Sequence, residues 1–151
     1  MLTADENIVD LRQVNPLTLA FIGDGVYELM VREEIVKKYQ SLSAGRLHKL
    51  TVQMVKASAQ DKAYCSIKHL LSETELSIYK RGRNANGVSP PRGSNAAQYR
   101  SATGLEALFG WLHLSCEGER IRYLFNAILD GVSNEADFDC LDIREKAEVL
   151  N

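Results

Sequence analysis

Apolar residues recur at helical spacing along almost the whole chain, and no stretch alternates apolar and polar residues convincingly enough to read as a strand. Leu19, Ile22, Val26, Leu29 and Val36 keep one phase at steps of three, four or seven. That pattern predicts a helix from about Pro16 to Tyr39 with these residues as its main apolar stripe. Asn15-Pro16 reads as its start, an N-cap followed by proline at a position whose missing N–H costs nothing. The phase passes through Gly23-Asp24-Gly25 without slipping, so the helix is expected to run through both glycines, although each costs roughly 1 kcal/mol relative to alanine. A cost of that kind points to close packing or to a functional site. Asp24 falls on a face with Ala20 and Leu17, away from the stripe.

After the turn SLSAG, Leu47, Leu50, Met54 and Val55 give a second helical face, expected to continue to Leu71 with a break near Asp61. Ser72-Glu73-Thr74-Glu75 is a capping box, which Leu71 and Leu76 are placed to staple. The short helix it opens runs into KRGRNANGVSPPRGSNAAQYR, rich in glycine and proline and nearly free of apolar residues, hence an exposed loop. Helical pattern resumes near Ala97, where Leu105, Leu108, Phe109 and Leu112 form a buried stripe. A last amphipathic helix, GERIRYLFNAILDG, is expected to end at Gly131. The fold class is all-α: one domain over residues 1–131, then an acidic tail, 132–151, that docks weakly or frays.

Composition adds an exclusion and charge adds a locus. No uncharged run is long enough to span a bilayer, and the acidic N-terminus lacks the features of a signal peptide. Cys65, Cys116 and Cys140, like His48, His69 and His113, are scattered without metal-ligand spacing, which suggests reduced thiols in a cytoplasmic protein. The net charge of -2 conceals residues 76–105, which carry five basic side chains (Lys80, Arg81, Arg83, Arg92, Arg100) and no acidic one. That segment is either an anion-binding surface or a solvated basic loop.

Asp24 and Glu106 share a setting. One lies in Gly23-Asp24-Gly25, the other in Gly104-Leu105-Glu106-Ala107 with Gly110 one turn on. Small neighbours let helix backbones approach, and two carboxylates meeting there would repel unless protonated or bridged by a cation. Magnesium suits such oxygen ligands, since it keeps several waters and takes one or two protein carboxylates plus phosphate oxygens. With a basic loop to hold a phosphodiester backbone, this is equipment for metal-assisted phosphodiester hydrolysis. Plainer readings remain for each part: a turn or cap at Gly-Asp-Gly, a solvated Glu106, and a Glu28–Arg32 surface pair.

LAFIGDGVYEL resembles the signature helix of the ribonuclease III family, and ATGLEALFGWLHL resembles that family's second acidic motif. The RGRN tract, the motif spacing and the short chain resemble its compact bacterial branch, Mini-ribonuclease III. Over residues 10–130, the resemblance implies a homodimeric endonuclease domain that uses magnesium or manganese to cut double-stranded RNA. For that branch the resemblance implies maturation of a large-subunit ribosomal RNA precursor. Carried over by position, the resemblance implies that Asp24 and Glu106 are the catalytic, metal-binding carboxylates. Phe21 matches the aromatic that plugs into a pocket on the partner, and Ile22 and Gly25 are expected beside it in the dimer interface.

This chain departs from the pattern it resembles at Ala20, Ala44 and Thr103, where members of that family commonly carry carboxylates. Fewer ligands fit the compact branch, and also a non-catalytic RNA-binding dimer with a degenerate fold. A small-ester phosphohydrolase would need His-Asp clusters that the chain lacks. With only an acidic stretch after Glu106, RNA affinity is expected from the catalytic domain itself. Lys80, Arg81, Arg83, Arg92 and Arg100 would contact phosphates, and Asn84 or Asn86 would add hydrogen bonds. Tyr99 and Trp111 read as core or interface residues.

Overall fold

The computed structural model describes residues 10–134, which form six α-helices and one 3-10 turn, with no strand among them. In chain order these are α1 (Pro16–Lys38), α2 (Ala44–Val55), α3 (Ala57–Ile67), the turn Lys68–Leu70, α4 (Glu73–Arg83), α5 (Ala96–Leu114) and α6 (Gly118–Asn134). The all-α expectation holds. No helix among the described residues is long and apolar enough to cross a membrane.

Local chemistry sets most of the boundaries. Asn15 accepts from the Leu17 N–H with Pro16 at the first helical position, and Lys37 and Lys38 lie at the negative end of the α1 dipole. Ser72 and Glu75 form the expected reciprocal capping box of α4. Glu75 also receives Arg120 of α6 through two hydrogen bonds of 3.0 and 3.1 Å, and Arg120 donates to the Leu70 carbonyl at 2.8 Å. One guanidinium therefore joins α6 to the start of α4. Asn95 caps α5 by accepting from the Gln98 N–H.

Helix α5 runs through the middle of the molecule, flanked by α1, α3 and α4, while α6 packs on α3 and α5. Its stripe of Leu105, Leu108, Phe109 and Leu112 is buried as expected. It meets Tyr27, Met30, Val31 and Ile35 of α1 and Ile121, Leu124, Phe125 and Ile128 of α6. Tyr27 stands edge-on to both Phe109 and Phe125, at 5.3 and 5.9 Å between ring centres.

Three expectations are corrected. The buried face of α1 comprises Leu19, Ala20, Gly23, Tyr27, Met30, Val31 and Ile35, whereas Leu29 and Val36 are exposed and Ile22 and Val26 only half-buried. The break in the second helical region falls at Lys56, not near Asp61: Lys56 adopts an extended conformation and serves as both the C-cap of α2 and the N-cap of α3. Helix α6 continues through Gly131 to Asn134. There glycine is needed for packing rather than stopping, since a Cβ would come within 2.7 Å of the Ser66 hydroxyl on α3. The remainder of the acidic tail lies outside the described residues.

Candidate functional site

Helices α1 and α5 touch backbone to backbone. A Cβ on Gly23 would sit 1.6 Å from the Glu106 carbonyl oxygen, and one on Gly110 would sit 1.9 Å from that of Leu19. The contact is reciprocal, each helix lending a glycine to the other's main chain. Gly25 has nothing within 4 Å of a built Cβ, so only the first glycine of Gly23-Asp24-Gly25 serves this approach. Asp24 follows directly on the contact from α1, and Glu106 forms it from α5.

Their electrostatics record the proximity. Loss of solvent, reinforced by the negative charge of Asp24, pushes the Glu106 carboxyl up to about 7, and a hydrogen bond from Gln60 opposes the rise only in part. Asp24 is exposed but shifts in the same direction, first by partial desolvation and then by Glu28 one turn on. Tyr27, buried beneath, has its phenol pushed up by burial and then by Glu106. No lysine or arginine among the described residues offsets either carboxylate. Glu28 instead pairs with Arg32 at 3.4 Å, as the i,i+4 spacing predicts.

Sequence reasoning missed one resident. Gln60 of α3 is 2% exposed. Its Nε2 donates to the Val55 carbonyl at 2.9 Å and to Glu106 Oε1 at 3.1 Å. Its own Oε1 is the buried side-chain polar atom among the described residues that finds no partner. Such an orphan costs about 1–3 kcal/mol. The signal was present, because Gln60 keeps the buried phase of Ala63 and Ile67, where an apolar residue is expected.

Of the positions where the sequence departs from the pattern it resembles, Ala20 is buried and Ala44 is exposed at the start of α2. Thr103 is buried with its hydroxyl donated back to the Tyr99 carbonyl at 3.0 Å. Among the described residues no group of three or more His, Cys, Asp or Glu side chains could hold a metal. Two uncompensated carboxylates do fit a divalent cation that keeps most of its waters, as magnesium does.

The basic segment divides. Lys80, Asn84, Arg92 and Arg100 are exposed. Arg83 lies over the Tyr79 ring at 5.7 Å, Tyr79 stacks on Tyr64 at 3.6 Å, and Arg83 Nε donates to the Asn84 side chain. Arg81 is half-buried and donates to the Val14 carbonyl at 3.2 Å, which ties the approach to α1 onto α4. On the outer side of α1, Phe21 is 80% exposed, with Gly25 and Leu29 exposed on the same side and Ile22 half-buried beside them. Tyr99 and Trp111 are both half-buried.

A family model described as the Ribonuclease III domain matches residues 17–117. Mini-ribonuclease 3 of Clostridium tetani (strain Massachusetts / E88) is 40% identical over 121 residues, covering 80% of each chain. Its counterpart from Thermoanaerobacter sp. (strain X514) is 47% identical over 109 residues, 72% of this chain and 76% of its own. A crystal structure of a protein from Fusobacterium nucleatum superposes with a TM-score of 0.71 at 31% identity, covering 81% of this chain and 97% of that one.

Proposed function

The chain belongs to the ribonuclease III family, and from that premise we propose that it is a magnesium-dependent endoribonuclease that cuts double-stranded RNA. Manganese would serve in place of magnesium. Its task would be the maturation of a large-subunit (23S) ribosomal RNA precursor in the cytoplasm, as a homodimer with one site per protomer. The observation that carries this reading is the pair Asp24 and Glu106, held together by a backbone contact with no cationic side chain among the described residues to neutralise them.

Asp24 and Glu106 would hold the cation, which when bound supplies an activated water and positive charge against the phosphate oxygens. The chain's own residues do the rest. The α1–α5 contact fixes the spacing of the two carboxylates before substrate arrives, so little reorganisation is left for the reaction. Lys80, Arg83, Arg92 and Arg100, with Asn84, would grip phosphates of the A-form duplex, whose recognition rests on shape, phosphates and 2′-hydroxyls. Arg83 is best prepared, its guanidinium already seated on an aromatic stack. Arg81 contributes by holding α4 in place. Phe21 would enter the partner subunit, with Ile22 and Gly25 around it.

The test is cleavage of a long, fully paired RNA with magnesium and with chelator, by the native chain and by Asp24→Ala and Glu106→Ala. Expected are magnesium-dependent fragments from the native chain and a loss of at least about 10²-fold in each variant, with helical content and duplex binding retained. Duplex binding without cleavage by the native chain would instead make it a non-catalytic RNA-binding dimer, with Ala20, Ala44 and Thr103 as the reason.

A further inference from the structure

The break between α2 and α3 has a chemical consequence at Glu106. In an unbroken helix the Val55 carbonyl would accept from the Ala59 N–H, four residues on. Here the Ala59 N–H bonds to the Lys56 carbonyl instead, at 3.0 Å, and the Val55 carbonyl is freed. Gln60 Nε2 takes it up, and the same nitrogen reaches Glu106 Oε1. The amide is thereby fixed end for end, because turning it over would set Oε1 against two acceptors.

A residue needed only to fill this space would not keep an amide whose oxygen is buried without a partner. Leucine or methionine would pack there without that liability. The amide does what they cannot: it holds one oxygen of Glu106 and leaves Oε2 without a hydrogen bond among the described residues. It also orients without neutralising. A lysine or arginine at this position would cancel the negative charge that a cation needs.

We propose that Gln60 is a positioning residue for Glu106: anchored by the Val55 carbonyl that the helix break frees, it holds the carboxylate by Oε1 in one orientation and leaves Oε2 for a divalent cation. This rests on the nuclease reading above. Gln60 touches neither RNA nor cation in this role. It acts through Glu106, and its removal lowers cation affinity and turnover while leaving duplex binding intact.

The experiment titrates Mn2+ into the full-length chain without RNA, following the free-ion electron paramagnetic resonance signal, and separately measures kcat and KM on paired RNA. Gln60→Met, with Gln60→Leu as a second variant, should weaken Mn2+ binding about 10- to 100-fold. It should lower kcat while KM changes little, and keep the native melting temperature to within a few degrees. In a Glu106→Gln background, adding Gln60→Met should change Mn2+ affinity little, since the carboxylate it serves is gone. Unchanged Mn2+ affinity in Gln60→Met, an equal loss in both backgrounds, or failure of both Gln60 variants to fold would overturn the proposal. A native chain with no Mn2+ affinity, or Asp24→Ala binding as tightly as the native chain, would sink the nuclease reading itself. That result is distinct from a failure at Gln60 alone.

Discussion

A carboxyl raised to about 7 by burial and by a neighbouring negative charge makes Glu106 a source of pH-dependent instability. Its folded value lies above the ordinary carboxylate value of 4.5, so the stability it contributes is fully present below that value and is lost as pH rises through about 7. A shift of this size amounts to roughly 3 kcal/mol. Glu106→Gln, which does not titrate, should therefore narrow the difference in unfolding free energy between pH 5 and pH 8 in metal-free protein. Magnesium should raise the native melting temperature more at pH 8 than at pH 5, because the ion binds the charged form. Denaturant melts and thermal scans at the two pH values check both, and identical pH dependence in native and variant protein would refute the assignment. At this scale the approach of Asp24 to Glu106 across the α1–α5 contact was legible in the sequence because both lie among small residues. Gln60 carried only the signal of a polar residue in a buried phase, and its role becomes readable once Glu106 is known to lie across from it.

Among the elements, α1 teaches where periodicity misleads. Counting large apolar residues selected Leu29 and Val36, yet the buried face carries Ala20, Gly23 and Tyr27, small or amphipathic residues that such counts underweight. A close helix crossing demands small residues where an ordinary one demands large ones. Gly23→Ala should consequently lower stability by at least about 3 kcal/mol, since its Cβ meets main chain that no rotamer can move. Thermal unfolding measures this, and a loss below about 1 kcal/mol would show that α1 and α5 can separate freely. The break at Lys56 was invisible for another reason: no glycine, proline or capping side chain marks it. At the end of α5, the Glu117 N–H bonds to the Leu112 carbonyl and Cys116 adopts a φ of 59°, a Schellman turn closed without its usual glycine. Cys116→Gly should add about 1 kcal/mol of stability by removing the left-handed strain, read as a rise of a few degrees in melting temperature.

For the molecule as a whole, all-α architecture and helix order followed from pattern alone, whereas the layered arrangement around α5 depended on glycines whose partners sequence does not name. The exposed side of α1 is the feature that a single protomer does not explain. Phe21 at 80% exposure is an unusual expense for an isolated chain. In a two-fold dimer each copy would bury it once, worth about 1.5–3 kcal/mol per side. If the chain forms the proposed homodimer, Phe21→Ala should raise its dissociation constant by about 10²-fold or more in sedimentation experiments, with the helical spectrum unchanged, and an unaltered constant would move the interface elsewhere. The reciprocal glycine contact sets how this molecule can move. Two helices whose main chains touch at Gly23 and Gly110 cannot slide or rock past each other without collision. In the proposed nuclease, adaptation to a bent or bulged duplex would thus be left to the arginine side chains and to the segment between α4 and α5. Asp24 and Glu106 would then act as a rigid anvil, with mechanical compliance at the rim.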